Sequence, residues 1–297
     1  MRNVKIIVDS CADLNVEQLN KYNIDFAKMS TSCDGVESVA TLTWTAEDAH
    51  AHYNKMREGK RIITAQVSVE EFQRIFEEYL KQDMDVVYIA CSSKQSGSVN
   101  TGSVVAKKMM EEYEGSTIIC IDSLNASIGI GMLAIEAAKM ANNGASAKEI
   151  EEHILSVRKK VNQYVTVHSL DALKRAGRVK GPAAFFGNLM GVKPIIISDV
   201  DGTQAAYKKV KGRQKSFEEV VALLKASIVD PEDQVIYFTH SDCAQEEVDA
   251  LVALIKREIP CKDVEIGYIG PIVGASIGPD AVGVWAFGKE VTYKIGD

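Results

Sequence analysis

The chain of 297 residues, with 46% hydrophobic and 25% charged residues, has the composition of a soluble globular protein with one large or two medium domains. Its formal net charge of -7 argues against nucleic acid as a partner, because contact with a phosphate backbone usually requires a basic face. The chain has no uncharged apolar run of about 18 residues and no P-loop motif, and its first residues lack the long apolar run and the cleavage site that are typical of a signal peptide. We therefore expect a cytoplasmic protein that has no transmembrane segment and does not bind ATP through a P-loop.

The first half alternates short apolar runs with amphipathic segments, a pattern typical of a parallel sheet wrapped by helices. Strands are predicted at residues 5–8, 86–90 and 117–121, and a serine- and glycine-rich turn after the second strand leads into a helix that ends at about residue 113. Ser68 and Glu71 have the spacing of a capping box, and the apolar residues that follow recur on one helical face: Phe72, Ile75, Phe76, Tyr79 and Leu80.

A second capping box, Ser146 with Glu149, opens a helix predicted to end near Asn162, which we take as the boundary between domains 1–162 and 163–297. Beyond it, strands are predicted at 164–167, 193–198, 203–210, 235–238, 264–269 and 282–287. Asp201-Gly202 is a hairpin signal, and Ser216 with Glu219 is a third capping box. These elements predict an α/β fold of two domains, a Rossmann-like parallel sheet with helices on both faces followed by an α/β domain with a mixed sheet.

The segment CSSKQSGSVN, residues 91–100, places several hydroxyls between a predicted strand and a predicted helix. Such a turn could hold a phosphate, activate a nucleophile, hold a carboxylate or cap the helix. Unpaired N–H groups and the positive end of the helix dipole favour an anion at this place.

Two glycine motifs do not fit the chemistry that their letters suggest. Residues 129–134 read G-x-G-x-x-A, but they lie within a predicted helix rather than in a turn after a strand, so close helix packing explains them better than a dinucleotide. Residues 274–278 read G-x-S-x-G, but Pro279 follows and the last histidine of the chain is His240, which disfavours a serine hydrolase.

Asp199-Val200-Asp201-Gly202-Thr203 matches the strand end of haloacid-dehalogenase-like phosphatases. This alternative makes the protein a Mg²⁺-dependent phosphatase with Asp199 as the nucleophile and Asp201 as the acid/base. No later pair of acidic residues follows a predicted strand to complete the metal site, so we favour a plain hairpin turn.

Six segments in order, spread over nearly the whole chain, together resemble the DegV family. They are residues 9–14 (DSCADL), 64–68 (TAQVS), 92–98 (SSKQSGS), 173–179 (LKRAGRV), 188–195 (NLMGVKPI) and 274–283 (GASIGPDAVG). The resemblance implies a DegV-like fold with the ligand in the interdomain cleft. It also implies a non-catalytic protein that binds a long-chain fatty acid and presents the carboxylate to a separate ATP-dependent fatty acid kinase, with no metal and no cofactor.

The resemblance also assigns site residues. The family grips the fatty-acid carboxylate with a threonine and a serine, which correspond to Thr64 and Ser96, and Gly97 follows in the same turn. Ser276 stands where the family frequently has histidine, so it can donate a hydrogen bond but cannot carry charge. Arg178 and Arg213, in the basic region of the chain, are implied to face the kinase or the acyl phosphate. Candidates for the wall of the acyl tunnel are Phe185, Phe186, Leu189 and Met190.

Overall fold

The computed structural model describes residues 2–186 and 191–296, and three sheets organise this part of the chain. In chain order the strands are Val4–Asp9 (β1), Ile24–Ala27 (β2), Met29–Cys33 (β3), Val36–Ala40 (β4), Ile62–Ala65 (β5), Asp85–Ala90 (β6), Ile118–Asp122 (β7), Val161–Thr166 (β8), Val179–Lys180 (β9), Val192–Ser198 (β10), Gln204–Lys211 (β11), Val235–His240 (β12), Asp263–Tyr268 (β13) and Val282–Phe287 (β14). The α-helices are Val16–Tyr22 (α1), Ala46–Arg57 (α2), Val69–Leu80 (α3), Ser98–Glu112 (α4), Ile128–Asn142 (α5), Ala147–Val157 (α6), Asp171–Ala176 (α7), Arg213–Ser227 (α8), Gln245–Glu258 (α9) and Pro271–Ile277 (α10).

The parallel sheet has the order β2-β1-β6-β7. Every residue of β1 is buried, as expected for a parallel strand that is covered on both faces. The apolar face predicted for α3 is buried and belongs to the core of this half. Its five residues are Phe72, Ile75, Phe76, Tyr79 and Leu80. The parallel sheet predicted for the first half is confirmed.

The mixed sheet has the order β13-β12-β14-β8-β10-β11-β9 and combines antiparallel with parallel pairs. Residues of α8 and α9 pack in one cluster on one face of this sheet. On the other face, Val165, Ile196 and Trp285 belong to the same core cluster as residues of the first half. The α/β fold with a parallel and a mixed sheet is therefore as predicted, and the two sheets share a core.

The small sheet has the order β4-β3-β5, is antiparallel and was not predicted. Its strands are short, and β4 is exposed at residues 36–39, so the periodicity of a buried strand is missing. The helix α2 lies between β4 and β5 in the chain, and α10 packs against β3, β5 and α2. The small sheet therefore brings an additional layer to α10.

Two predicted helix boundaries and one predicted capping box need correction. The Ser68 hydroxyl accepts the N–H of Glu71 as predicted, but the Glu71 carboxylate accepts the N–H of Lys28 instead of closing the box. The third box was wrong, because α8 begins at Arg213, so that Ser216 lies inside the helix and its hydroxyl donates to the Arg213 carbonyl. The box at Ser146 forms, but α6 ends at Val157, well before residue 162.

The predicted boundary at 162/163 falls inside β8, because a short 3-10 helix at Arg158–Lys160 leads directly into that strand. The division into two domains at this point stays a prediction. In the described ranges, no helix combines the length and the apolar character that a membrane crossing requires.

Candidate ligand-binding site

A cavity of about 430 Å³ lies between the parallel sheet and the mixed sheet. One part of its wall comes from segments that follow β1, β6 and β7, namely Cys11, Cys91, residues 93–97 and Ser127. A second part is the inner face of the mixed sheet, with Gln163, Val165, Ile196, Gln204 and Trp285. The third part is formed by β5 and α10. The carboxyl ends of parallel strands open onto such a crevice, where α/β proteins commonly bind ligands.

The serine turn, residues 91–97, connects β6 to α4. The Ser92 hydroxyl is buried and donates to the carbonyl of Gly202 across 2.8 Å, and the Gln95 amide donates to the same oxygen across 3.3 Å. The Ser96 hydroxyl lies 2.9 Å from the Ser98 hydroxyl, and it accepts the backbone N–H of Ser98, the first residue of α4, across 3.2 Å. One hydroxyl of the turn thus anchors it to the mixed sheet, while Ser96 lines the cavity beside a helix N-terminus.

Thr64 also lines the cavity, from β5 of the small sheet. It pairs with Thr31 of β3, so the two side chains lie on the same face of the sheet. Gln66, two residues later, is so close to Gly97 that a Cβ on the glycine would lie 2.1 Å from its Oε1 atom. The glycine therefore leaves room for the Gln66 amide beside the serine turn.

Ser276 lines the cavity from α10, which is held at its N-terminus. The Tyr53 hydroxyl donates to the carbonyl of Ile269 across 2.6 Å, and the N–H of Gly270 donates to the Asp13 carboxylate across 2.9 Å. The structure thus brings Thr64, Ser96, Gly97 and Ser276 to one cavity. Whether these residues bind the carboxylate of a ligand stays a prediction.

The two predicted arginines lie in different places. Arg178 lines the cavity and also an adjoining recess of about 160 Å³, whose other cationic residues are Lys60, Arg61 and Arg175. Thr64 and Ser276 line both spaces. Arg213 does not line the cavity in the described part of the chain, and its guanidinium lies 2.7 Å from Glu247 and stacks on Phe217.

Of the predicted tunnel residues, Phe185 and Phe186 pack against the core but do not line the cavity as described, and Leu189 and Met190 lie outside the described residues. Sequence reasoning missed Cys11, Met29, Cys91, Gln163 and Trp285. Cys11 and Cys91 had a signal, since both follow the carboxyl end of a buried strand. The strand residues Gln163 and Trp285 had none that distinguishes a cavity wall from ordinary core.

Two buried carboxyl groups lie beside the cavity. Asp9 accepts hydrogen bonds from Tyr88 and from the backbone of Cys11 and Cys91, and burial raises its pKa. Asp13 accepts from Ser127 across 2.5 Å, and burial raises its pKa to about 7. Both residues belong to the DSCADL segment, which therefore joins the segments around the cavity.

The three motifs that suggested other chemistry have structural explanations. The G-x-G-x-x-A segment lies in α5, where a Cβ on Gly131 would lie 2.7 Å from Leu14. The G-x-S-x-G segment lies at the end of α10 and in the turn after it. Asp199 accepts the backbone N–H groups of Asp201 and Thr203 in the hairpin before β11. In the described residues, no group of three or more His, Cys, Asp or Glu side chains could hold a metal ion.

Known proteins resemble this chain both in sequence and in structure. Residues 3–289 match the model of the DegV family, described as uncharacterised proteins. A DegV domain-containing protein of Clostridium perfringens is 34% identical over 288 residues, which cover 97% of this chain and 98% of that protein. A DegV lipid-binding protein from Thermotoga maritima has 26% identity and a TM-score of 0.85, covering 98% of this chain and 100% of its own. Another protein of Thermotoga maritima, whose structure is described as revealing a fatty-acid-binding function, has 26% identity and a TM-score of 0.83, covering 97% and 100%.

Proposed function

The chain belongs to the DegV family, and from this membership and the geometry of its cavity we propose that it binds a long-chain fatty acid. In this proposal it presents the carboxylate to a separate ATP-dependent fatty acid kinase and performs no chemistry alone. The observation that carries the proposal is the cavity between the two sheets, in which hydroxyls beside the N-terminus of α4 lie with an apolar wall. The fatty-acid-binding relative of Thermotoga maritima supports the ligand class.

The carboxylate accepts hydrogen bonds from Thr64 and Ser96 in this proposal, and Ser276 adds a third donor from α10. Hydroxyl donors to a carboxylate form charge-assisted hydrogen bonds, and the positive end of α4 adds to the attraction. Ser276 donates without carrying charge, so this site does not depend on the protonation of a histidine at that position.

The acyl chain takes the apolar part of the cavity, where Val165, Ile196 and Ile272 are among the lining residues. Each buried methylene contributes about 0.8 kcal/mol, so a chain of about 16 carbons gains on the order of 12 kcal/mol before the cost of association. The tail therefore supplies the affinity, while the hydroxyls determine which end of the ligand reaches the polar side.

The adjoining recess supports the second step. Arg61, Arg175 and Arg178 give it positive charge directly beside Thr64 and Ser276, whereas the ammonium group of Lys60 is paired with Asp34. A transferred phosphoryl group adds negative charge at the carboxylate end, and guanidinium groups suit phosphate geometry. We assign the phosphate-facing role to Arg178 alone, because the guanidinium of Arg213 is paired with Glu247.

The test is the identity of the bound molecule. Native mass spectrometry and solvent extraction of the purified protein are expected to release a long-chain fatty acid, and adding ATP with a fatty acid kinase is expected to yield its acyl phosphate. An empty protein that hydrolyses a phosphomonoester with Mg²⁺, and loses this activity in Asp199→Asn, would overturn the proposal in favour of the phosphatase.

A further inference from the structure

Three sulfur-containing side chains meet in the wall of the cavity: Cys11, Met29 and Cys91. The Cys11 Sγ atom lies 3.5 Å from the Met29 Sδ atom, and Cys91 lines the same cavity. Both cysteines are free, and the proposed function uses neither. Two thiols at neighbouring positions in one ligand cavity can be oxidised together to a disulfide, with the loss of two electrons.

The backbone brings the two cysteines together. The strands β1 and β6 are parallel neighbours, with Val8 opposite Ile89, and neighbouring strands lie about 4.8 Å apart. Cys11 comes two residues after β1 and Cys91 one residue after β6. Their N–H groups donate to the two oxygens of a single carboxylate, that of Asp9, across 3.0 and 2.9 Å. This placement suits a disulfide, which needs Cα atoms about 4.4–6.8 Å apart.

The cavity is the route by which a reagent reaches these thiols. Cys11 and Cys91 are each only 3% exposed, and both line the cavity. The cysteines Cys33, Cys120, Cys243 and Cys261 do not line it in the described part of the chain. An acyl chain that fills the cavity covers the pair, whereas an empty cavity admits a small oxidant.

We propose that Cys11 and Cys91 form a site of reversible oxidation, in which a hydroperoxide that enters the cavity converts the two thiols into a disulfide. The thiolate of one cysteine attacks the peroxide oxygen to give a sulfenic acid and an alcohol, or water when the oxidant is hydrogen peroxide. The second thiol then displaces water from the sulfenic acid. The sum is one hydroperoxide and two thiols giving one alcohol, one water molecule and one disulfide.

The surroundings make this oxidation slow and dependent on pH. The contact with the Cys91 thiol, burial and the carboxylates of Asp9 and Asp13 raise the pKa of Cys11 well above its ordinary value. Because the thiolate is the reactive form, we expect the rate to increase as pH rises. Shielding by the acyl chain rests on the proposed function, whereas the pairing of the thiols does not.

The experiment uses the full-length protein, stripped of lipid or loaded with a saturating fatty acid, with loading measured in the same sample. Both forms are treated with hydrogen peroxide, alkylated with iodoacetamide and mapped by mass spectrometry without reduction. The lipid-free protein is expected to lose two alkylatable thiols and to contain one cross-link between the peptides of Cys11 and Cys91. Fatty acid is expected to slow the cross-link at least tenfold, and dithiothreitol to reverse it.

Matched variants identify the pair. Cys91→Ser is expected to abolish the cross-link and leave Cys11 either as an alkylatable thiol or as an unresolved sulfenic acid, whereas Cys33→Ser, outside the cavity, leaves the cross-link unchanged. A lipid-free wild-type protein in which Cys11 and Cys91 are alkylated or oxidised separately would overturn the proposal. Equal rates in lipid-free and verified loaded protein would overturn the cavity route. If the fatty acid does not bind, the proposed function fails, while the lipid-free sample still decides the thiol pair.

Discussion

The hydroxyl of Ser92 donates a hydrogen bond to the carbonyl oxygen of Gly202 across 2.8 Å and so joins the serine turn to the hairpin between β10 and β11. Gly202 has a φ of 81°, and a Cβ at this position would lie 2.5 Å from the Ser92 Oγ atom and 2.8 Å from the Cα atom of Leu124. In the sequence, the serine turn and the hairpin at Asp201-Gly202 look like two separate catalytic motifs. In the structure they contact each other and join the sheets on either side of the cavity.

Because of this contact, we expect a substitution of Gly202 to lower stability by more than the positive φ alone would cause. Gly202→Ala is expected to lower the free energy of unfolding by about 3 kcal/mol, from backbone strain and from the clash with Ser92 and Leu124. Gly144→Ala is the matched control, since Gly144 has a φ of 84° with no atom near its Cβ position, and about 1 kcal/mol is expected. Urea denaturation of both variants checks this; equal losses would contradict it.

The carboxylate site predicts a loss of affinity without a loss of fold. Thr64→Val and Ser96→Ala each remove a hydroxyl donor, and each is expected to weaken fatty-acid binding by about 10- to 100-fold, as for a hydrogen bond to a charged group. Thr31→Val is the control, because Thr31 lies opposite Thr64 on β3 but does not line the cavity as described. Titration with a fluorescent fatty acid measures the affinities of the wild type and the variants, and unchanged binding in a protein that combines Thr64→Val with Ser96→Ala would remove both hydroxyls from the site.

The guanidinium group of Arg57, the last residue of α2, bridges two loops near α10, and we expect this bridge to stabilise the fold. Arg57 donates to the carboxylates of Asp242 and Asp280 across 2.6 and 2.7 Å, and its side chain is 32% exposed. Arg57→Gln is expected to lower the free energy of unfolding by about 1–2 kcal/mol, and by less in high salt. The control Arg257→Gln removes only an exposed pair with Glu258 and should change it by about 0.5 kcal/mol or less. Similar losses in both variants would argue against the bridge.

The buried Asp13 predicts a pH dependence with a definite sign. Its folded-state pKa of about 7 lies above the ordinary value of 3.8, so between these pH values the folded protein keeps a proton that the unfolded chain releases. The free energy of unfolding contributed by Asp13 therefore decreases as pH rises from about 4 to 7, by at most about 1.4 kcal/mol per pH unit.

Asp13→Asn removes this titration. The difference in the free energy of unfolding between wild type and this variant is expected to fall across that window and to level off on either side. Groups common to both proteins cancel in the difference. Urea denaturation at several pH values checks this, and a difference that stays constant from pH 4 to 8 would show that Asp13 keeps an ordinary pKa.

Local sequence predicted most of the regular structure, because buried strands and one-sided helices have distinct periodicities. The face of α3 and the hairpin at Asp201-Gly202 are examples in which the residues themselves determine the element. The small sheet escaped prediction, because its short, partly exposed strands are stabilised by pairing with each other and by contact with α10 rather than by a buried face of their own. The start of α8 was misplaced, because Ser216 bonds back to Arg213 within the helix.

The family and four residues that line the cavity, Thr64, Ser96, Gly97 and Ser276, were accessible from the sequence alone, because ordered segments such as TAQVS and SSKQSGS are read without knowledge of the fold. Only the tertiary structure decided that Arg178 lies at the cavity while Arg213 pairs with Glu247. It alone placed Cys11 beside Cys91. The physical reason is that strand register and the packing of the two sheets determine which distant side chains meet. Neither of them produces a periodic pattern in the sequence.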